Sequence, residues 1–205
     1  MEYFGAALDD ALTALEASRV VLAGYSMGGR IALYYAITRQ PRLSRLVLES
    51  TSAGIADPAE RESRVRADEE LATYVLAEGV ERFVDRWERT PVLAALSRLP
   101  ATDRARLREL RVGNTAAGLA ASLRGMGTGA QLYLGSRLDE IAIPTLVVAG
   151  ADDAKFSAIA ATLAAGVRDS VLAILPNVGH TPHLEAPARW AEVVGGFIKA
   201  GQRAG

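Results

Sequence analysis

Apolar positions along the chain alternate between two spacings. Phe4, Ala7, Leu8, Ala11, Leu12 and Leu15 recur every three or four residues, with Asp9, Asp10 and Glu16 off that stripe, which predicts an amphipathic helix over 3–16. The continuous run Val20-Val21-Leu22-Ala23 then predicts a strand over 19–24. A helix from Met27 to about Thr38 follows, apolar around much of its circumference and stopped before Pro41. Leu46-Val47-Leu48 reads as a second buried strand, and 49–54 as its exit loop. The same rhythm returns after Pro144, with strands over 145–149 and 171–175, helices over 155–165 and 187–200, and a loop at 176–181. Strands alternating with helices imply an α/β fold, a mostly parallel sheet with right-handed crossovers and helices on both faces.

Between residues 57 and 137 the strand signal vanishes, and helical patterns follow one another over 58–77, 80–88, 92–96, 103–112 and 116–126. This stretch is expected to be a helical cap inserted into a core made of 1–56 and 138–205. The glycines of Gly125-Met126-Gly127-Thr128-Gly129 invite a phosphate-loop reading, but they follow a helix and not a strand, so a plain loop is expected.

Half of the 205 residues are hydrophobic, enough for one substantial core. The formal net charge of -1 gives no reason to expect a nucleic acid or an anionic membrane surface as partner. The absence of cysteine removes disulfides and thiolate metal sites. No run of about 18 apolar residues suggests membrane insertion, and the expectation is a cytoplasmic monomer. No metal or organic cofactor is implied. Lys155 and Lys199 are the only lysines, so arginine carries nearly all the positive charge.

The chemistry gathers at Gly24-Tyr25-Ser26-Met27-Gly28. A strand, a Gly-x-Ser-x-Gly turn and a helix together make a nucleophile elbow, which lifts the serine hydroxyl above the carboxyl end of a parallel sheet. So tight a turn is expected to strain Ser26 and to leave no room for side chains at positions 24 and 28. A serine hydroxyl needs a base, and the only two histidines, His180 and His183, both lie after the last predicted strand. His180, directly after Gly179, is the better candidate, while His183 is expected to pack or line a pocket. The orienting acid should close the preceding strand, where Asp152 and Asp153 both qualify on spacing. Met27 would offer its backbone N–H to a developing oxyanion at a helix N-terminus.

Gly-Tyr-Ser-Met-Gly-Gly-Arg, the exit Leu-Glu-Ser-Thr-Ser, the cap segments and the run from Asp153 through Lys155-Phe156 to Gly179-His180 resemble the α/β-hydrolase-fold synthase of menaquinone biosynthesis, which makes 2-succinyl-6-hydroxy-2,4-cyclohexadiene-1-carboxylate. The resemblance implies Ser26 as catalytic base, His180 as its partner and Asp153 as the orienting acid. The reaction it implies is a proton abstraction that expels pyruvate from a small polycarboxylate. Cationic clamps suit such a substrate, because guanidinium groups bind carboxylates at two points. By position the resemblance implies Arg30, Arg64 and Arg111 for that role, with Tyr25 and Trp87 as pocket aromatics. It also implies strands and a His-Gly-aromatic loop ahead of residue 3, about 60 residues, so the N-terminal strands are expected to be missing and the chain alone to be poorly stable and weak or inactive. The competing expectations are a serine esterase or carbon-carbon bond hydrolase with the same three residues, and an inactive fragment.

Overall fold

The computed structural model describes residues 2–200. In chain order the elements are α1 (Glu2–Ala14), β1 (Val20–Tyr25), α2 (Met27–Thr38), β2 (Leu43–Glu49), α3 (Pro58–Glu88), α4 (Ala101–Val112), α5 (Ala116–Met126), β3 (Thr145–Gly150), α6 (Ala154–Gly166), β4 (Ser170–Leu175), α7 (Pro182–Glu185) and α8 (Pro187–Ala200). Two compact units result, Met1–Ala53 with Leu134–Gly205, and Gly54–Tyr133.

The first unit is built on a parallel sheet in the order β1-β2-β3-β4. The side-chain period of two splits β2 and β3 cleanly. Leu46, Leu48, Val147 and Ala149 face one way, into a core with Leu12 of α1, Leu33, Tyr35 and Ala36 of α2, and Ala160 and Leu163 of α6. Val47, Leu146 and Val148 face the other way, against Val194, Trp190 and Phe197 of α8. Helices therefore cover both faces. The central strands are buried along nearly their whole length, whereas β1 and β4, the outer strands, are more open. This geometry brings the carboxyl ends of β1, β2 and β3, and the turns that leave them, to one rim.

α1 is tied to α2 by a polar cluster. The Tyr35 hydroxyl donates to Asp9 at 2.5 Å and Arg39 Nε to the same carboxylate at 2.6 Å. Burial first, and the adjoining carboxylate second, push the Tyr35 phenol up to about 12. The Tyr35 hydrogen bond, then the arginines, hold Asp9 below the usual carboxylate range.

The second unit is helical. Ala72, Val75, Phe83 and Val84 of α3 form its core with Ala120 of α5. The two helical patterns expected at 58–77 and 80–88 meet at Gly79, whose φ of 85° breaks the ladder while the chain continues in nearly one element. Asp57 caps the start of α3 by accepting from the Glu60 N–H at 2.7 Å. The glycines after α5 are there for packing. A Cβ on Gly129 would sit 2.7 Å from the Val65 nitrogen and 2.8 Å from the Arg61 carbonyl oxygen, and one on Gly127 would overlap the Asp68 carboxylate. Among the described residues no helix is long and apolar enough to cross a membrane.

Candidate active site

β1 ends in the Gly24–Gly28 turn and α2 starts at once, so Ser26 is squeezed between a strand and a helix. Its φ of 47° lies in the left-handed region that side chains disfavour. Three hydrogen bonds hold it there. The Ser26 N–H donates to the Glu49 carbonyl at 2.8 Å, and the Ser26 carbonyl accepts from the Arg30 N–H at 3.2 Å and from the Thr51 hydroxyl at 2.7 Å. The end of β2 thus fixes the elbow of β1.

One steric expectation is met and one is corrected. A Cβ at Gly24 would lie 2.4 Å from the Gly28 carbonyl oxygen and 2.6 Å from the Gly29 Cα, a clash with backbone that cannot swing away. At Gly28, however, a Cβ would meet nothing within 4 Å, because that position points off the exposed start of α2. The second tight glycine is Gly29, where a Cβ would fall 2.6 Å from the Thr51 Cβ.

The turn after β3 carries the carboxylate that meets His180. Gly150 ends the strand, and Asp153 caps α6 by accepting the Phe156 N–H on Oδ1 at 3.1 Å. Its Oδ2 lies 2.7 Å from His180 Nδ1. Asp152 is turned outward, with its N–H donating to the Val178 carbonyl at 2.9 Å. Beyond β4, the loop leading to α7 brings His180 back over the rim, 4 % exposed, with Nε2 3.3 Å from Ser26 Oγ. An ionised Asp153 requires the proton on Nδ1, which leaves the Nε2 lone pair toward the Ser26 hydroxyl. The imidazole is packed by Phe156, at 4.4 Å between centroids, and by Tyr25 at 5.5 Å.

The second histidine has a different setting. Glu49, 3 % exposed, accepts from the His183 N–H at 3.1 Å, from His183 Nδ1 at 2.7 Å and from Trp190 Nε1 at 2.9 Å. Three donors on one carboxylate make its burial tolerable. Tyr25 stacks edge-on against His183 at 4.8 Å, so the aromatic next to the serine contacts both histidines.

The remaining candidates divide by unit. Met27 is the first residue of α2, and Arg30, 8 % exposed, lies one turn further along. Arg64, Trp87 and Arg111 belong to the helical unit. Arg64 grips the buried Asp68 carboxylate through Nε at 2.9 Å and Nη2 at 2.8 Å. Arg111 donates to Glu88 at 2.9 Å, and the same carboxylate also takes Arg108. Trp87 stacks on Phe83 at 6.1 Å. Among the described residues no group of three or more histidine, aspartate and glutamate side chains is arranged to hold a metal.

The family described as the alpha/beta hydrolase fold matches residues 1–187. The 2-succinyl-6-hydroxy-2,4-cyclohexadiene-1-carboxylate synthase of Serratia proteamaculans (strain 568) is 36 % identical over 88 % of this chain and 68 % of its own length. A Bacillus subtilis (strain 168) protein, named provisionally as the same synthase, is 42 % identical over 90 % of this chain and 67 % of its own. The chain belongs to this synthase branch of the α/β-hydrolase family. The structure of MenH from S. aureus superposes with a TM-score of 0.95 at 37 % identity, covering 98 % of this chain and 76 % of that one. Sequence reasoning passed over Glu49 and Glu185, each of which accepts three hydrogen bonds around the histidine loop. A lone acid at the end of an apolar strand was the available signal for Glu49, since such a residue is buried only with partners.

Proposed function

We propose that the chain eliminates pyruvate from 2-succinyl-5-enolpyruvyl-6-hydroxy-3-cyclohexene-1-carboxylate to give 2-succinyl-6-hydroxy-2,4-cyclohexadiene-1-carboxylate. The observation that carries this reading is the relay from Ser26 through the buried His180 to Asp153, in a chain whose relatives bear the synthase name. His180 takes the Ser26 proton on Nε2, and Asp153 stabilises the imidazolium that forms. Ser26 Oγ then removes the proton beside the succinyl carbonyl. The C–H electrons move into an enolate, whose oxygen is stabilised by the Met27 N–H at the start of α2. As the enolate collapses, C2=C3 forms, the existing C3=C4 double bond shifts to C4=C5, and the C–O bond from C5 to the enolpyruvyl group breaks. The departing pyruvate enolate takes up the proton held on His180 Nε2 and leaves as pyruvate, while the substrate proton stays on Ser26 Oγ, so atoms and charges balance. Arg30, Arg64 and Arg111 are the proposed carboxylate clamps, with Tyr25 and Trp87 as the proposed pocket aromatics.

The test is pyruvate release, followed through lactate dehydrogenase and corrected for spontaneous elimination, with labelling of Ser26 by a fluorophosphonate run in parallel. Release above background that Ser26→Ala abolishes supports the lyase. A folded chain that labels at Ser26 and hydrolyses p-nitrophenyl esters, yet releases pyruvate only at background, overturns it in favour of a hydrolase.

A further inference from the structure

Glu185 holds the loop that carries His180 by both of the histidine's neighbours. Its Oε2 accepts the Gly179 N–H at 2.7 Å, and its Oε1 accepts the Thr181 N–H at 2.9 Å and the Thr181 hydroxyl at 3.0 Å. The Leu184 and Glu185 N–H groups answer by donating to the Thr181 carbonyl at 2.9 Å each. The arrangement is a capping box with a longer reach. In the usual box an N3 side chain returns to the N-cap N–H. Here Thr181 is the N-cap of α7, the carboxylate sits one residue later, and its second oxygen reaches past the cap to Gly179.

From this clamp we infer that Glu185 is a positioning residue for His180, setting the distance between its Nε2 and Ser26 Oγ. The inference rests on the proposed role of that pair. His180 belongs to no helix or strand, being one of the loop residues between β4 and α7. Its ring is aimed by Asp153 and Phe156, but its Cα is placed by residues 179 and 181. The gap to Ser26 is already 3.3 Å, so any slackening of the loop takes it beyond hydrogen-bond reach.

Glu185→Gln keeps the size and one acceptor but turns an amide donor toward a backbone donor. Expected are a fall of about 10- to 100-fold in the rate of Ser26 phosphonylation, an equal fall in kcat for pyruvate release, and a KM within about twofold of the parent. The downfield proton resonance of the His180 Nδ1–Asp153 hydrogen bond should broaden or move in the same variant. Thr181→Val removes one of the three donors without changing volume, so a smaller fall of about 3- to 10-fold is expected. This second variant decides the matter should Glu185→Gln fail to fold. An unchanged phosphonylation rate with an intact His180 resonance, in Glu185→Gln or in a folded Thr181→Val, overturns the inference. Phosphonylation separates it from the proposed reaction. A parent chain that labels but releases no pyruvate refutes the substrate and still tests Glu185, whereas a parent that does not label refutes the serine–histidine pair itself.

Discussion

Adding one methyl group at Gly150 should separate the serine from its base. Gly150 closes β3 directly beneath the loop to His180, and a Cβ there would lie 2.1 Å from the Gly179 carbonyl oxygen and 2.2 Å from that of Val178. Both are backbone atoms, so neither can rotate away. Restoring even a tight contact requires the 178–180 segment to lift by about 1 Å. His180 moves with it, stretching the 3.3 Å approach to Ser26 to about 4 Å, past hydrogen-bond range. A displacement of that size at a reacting pair costs about 100-fold in rate. Overpacking adds about 1–3 kcal/mol of destabilisation, a fall in Tm of several degrees for a chain of this length. The assay is pyruvate release and Ser26 phosphonylation for Gly150→Ala, with thermal unfolding on the same samples. Gly28→Ala is the matched control for stability, since its new methyl meets nothing within 4 Å and replaces a helical glycine. Its Tm should hold or rise by the equivalent of up to about 1 kcal/mol. Gly150→Ala with parental labelling and parental Tm would refute the steric reasoning outright.

Asp153→Asn should keep the cap of α6, because the remaining oxygen can still accept the Phe156 N–H, while His180 Nδ1 loses its anionic partner. The expected result is a loss of about 10³- to 10⁴-fold in kcat with little change in Tm; a loss under tenfold would remove Asp153 from the relay. Tyr35 predicts an alkaline limb in stability. Its folded phenol titrates near 12 against about 10 in the unfolded chain, so its contribution is complete below pH 10 and is lost as pH rises from 10 to 12. The loss is at most about 2–3 kcal/mol, about half of it by pH 11, and it should lower the parent's urea midpoint between pH 9 and pH 11 and be absent from Tyr35→Phe.

The strands were legible because a parallel sheet covered on both faces demands unbroken apolar runs, and Val20–Ala23, Leu46–Leu48 and Thr145–Ala149 are such runs. β2 nevertheless begins at Leu43, earlier than its apolar core suggests. Ser44 and Arg45 break the pattern but not the strand: Val20 pairs with Leu43 and Val21 with Arg45, the register shifts to skip Ser44, and the Ser44 hydroxyl donates to the Val20 carbonyl at 2.9 Å. The elbow was legible for a similar reason: glycine is required where backbone meets backbone, as at Gly24. The need was misplaced at Gly28 and overlooked at Gly29, because which flank of the turn faces Thr51 depends on how β2 leaves the sheet. Asp152 and Asp153 could not be told apart by spacing. What separates them is a turn in which one points outward while the other caps α6 and keeps an oxygen for an imidazole 27 residues away.

Glu49 and Glu185 show where local reading stops. Each is unremarkable in sequence, and each carries three donors, those on Glu49 brought from His183 and Trp190 by the tertiary fold and those on Glu185 from Gly179 and Thr181 by the turn into α7. Their placement follows from the problem the site poses. Ser26 and His180 are 154 residues apart and come from different loops, so the distance between them depends on how firmly each loop is held. Glu49 answers on one side, its carbonyl holding the Ser26 N–H while its carboxylate holds His183 and Trp190 beyond the histidine loop. Glu185 answers on the other, closing that loop upon itself. A carboxylate suits both tasks because its two oxygens accept several hydrogen bonds at once, each strengthened by the charge. Burial then stiffens what a water-exposed contact would leave loose, and Ser26 and His180, the proposed proton-abstracting pair, are held in register by two acids that take no proton from the substrate.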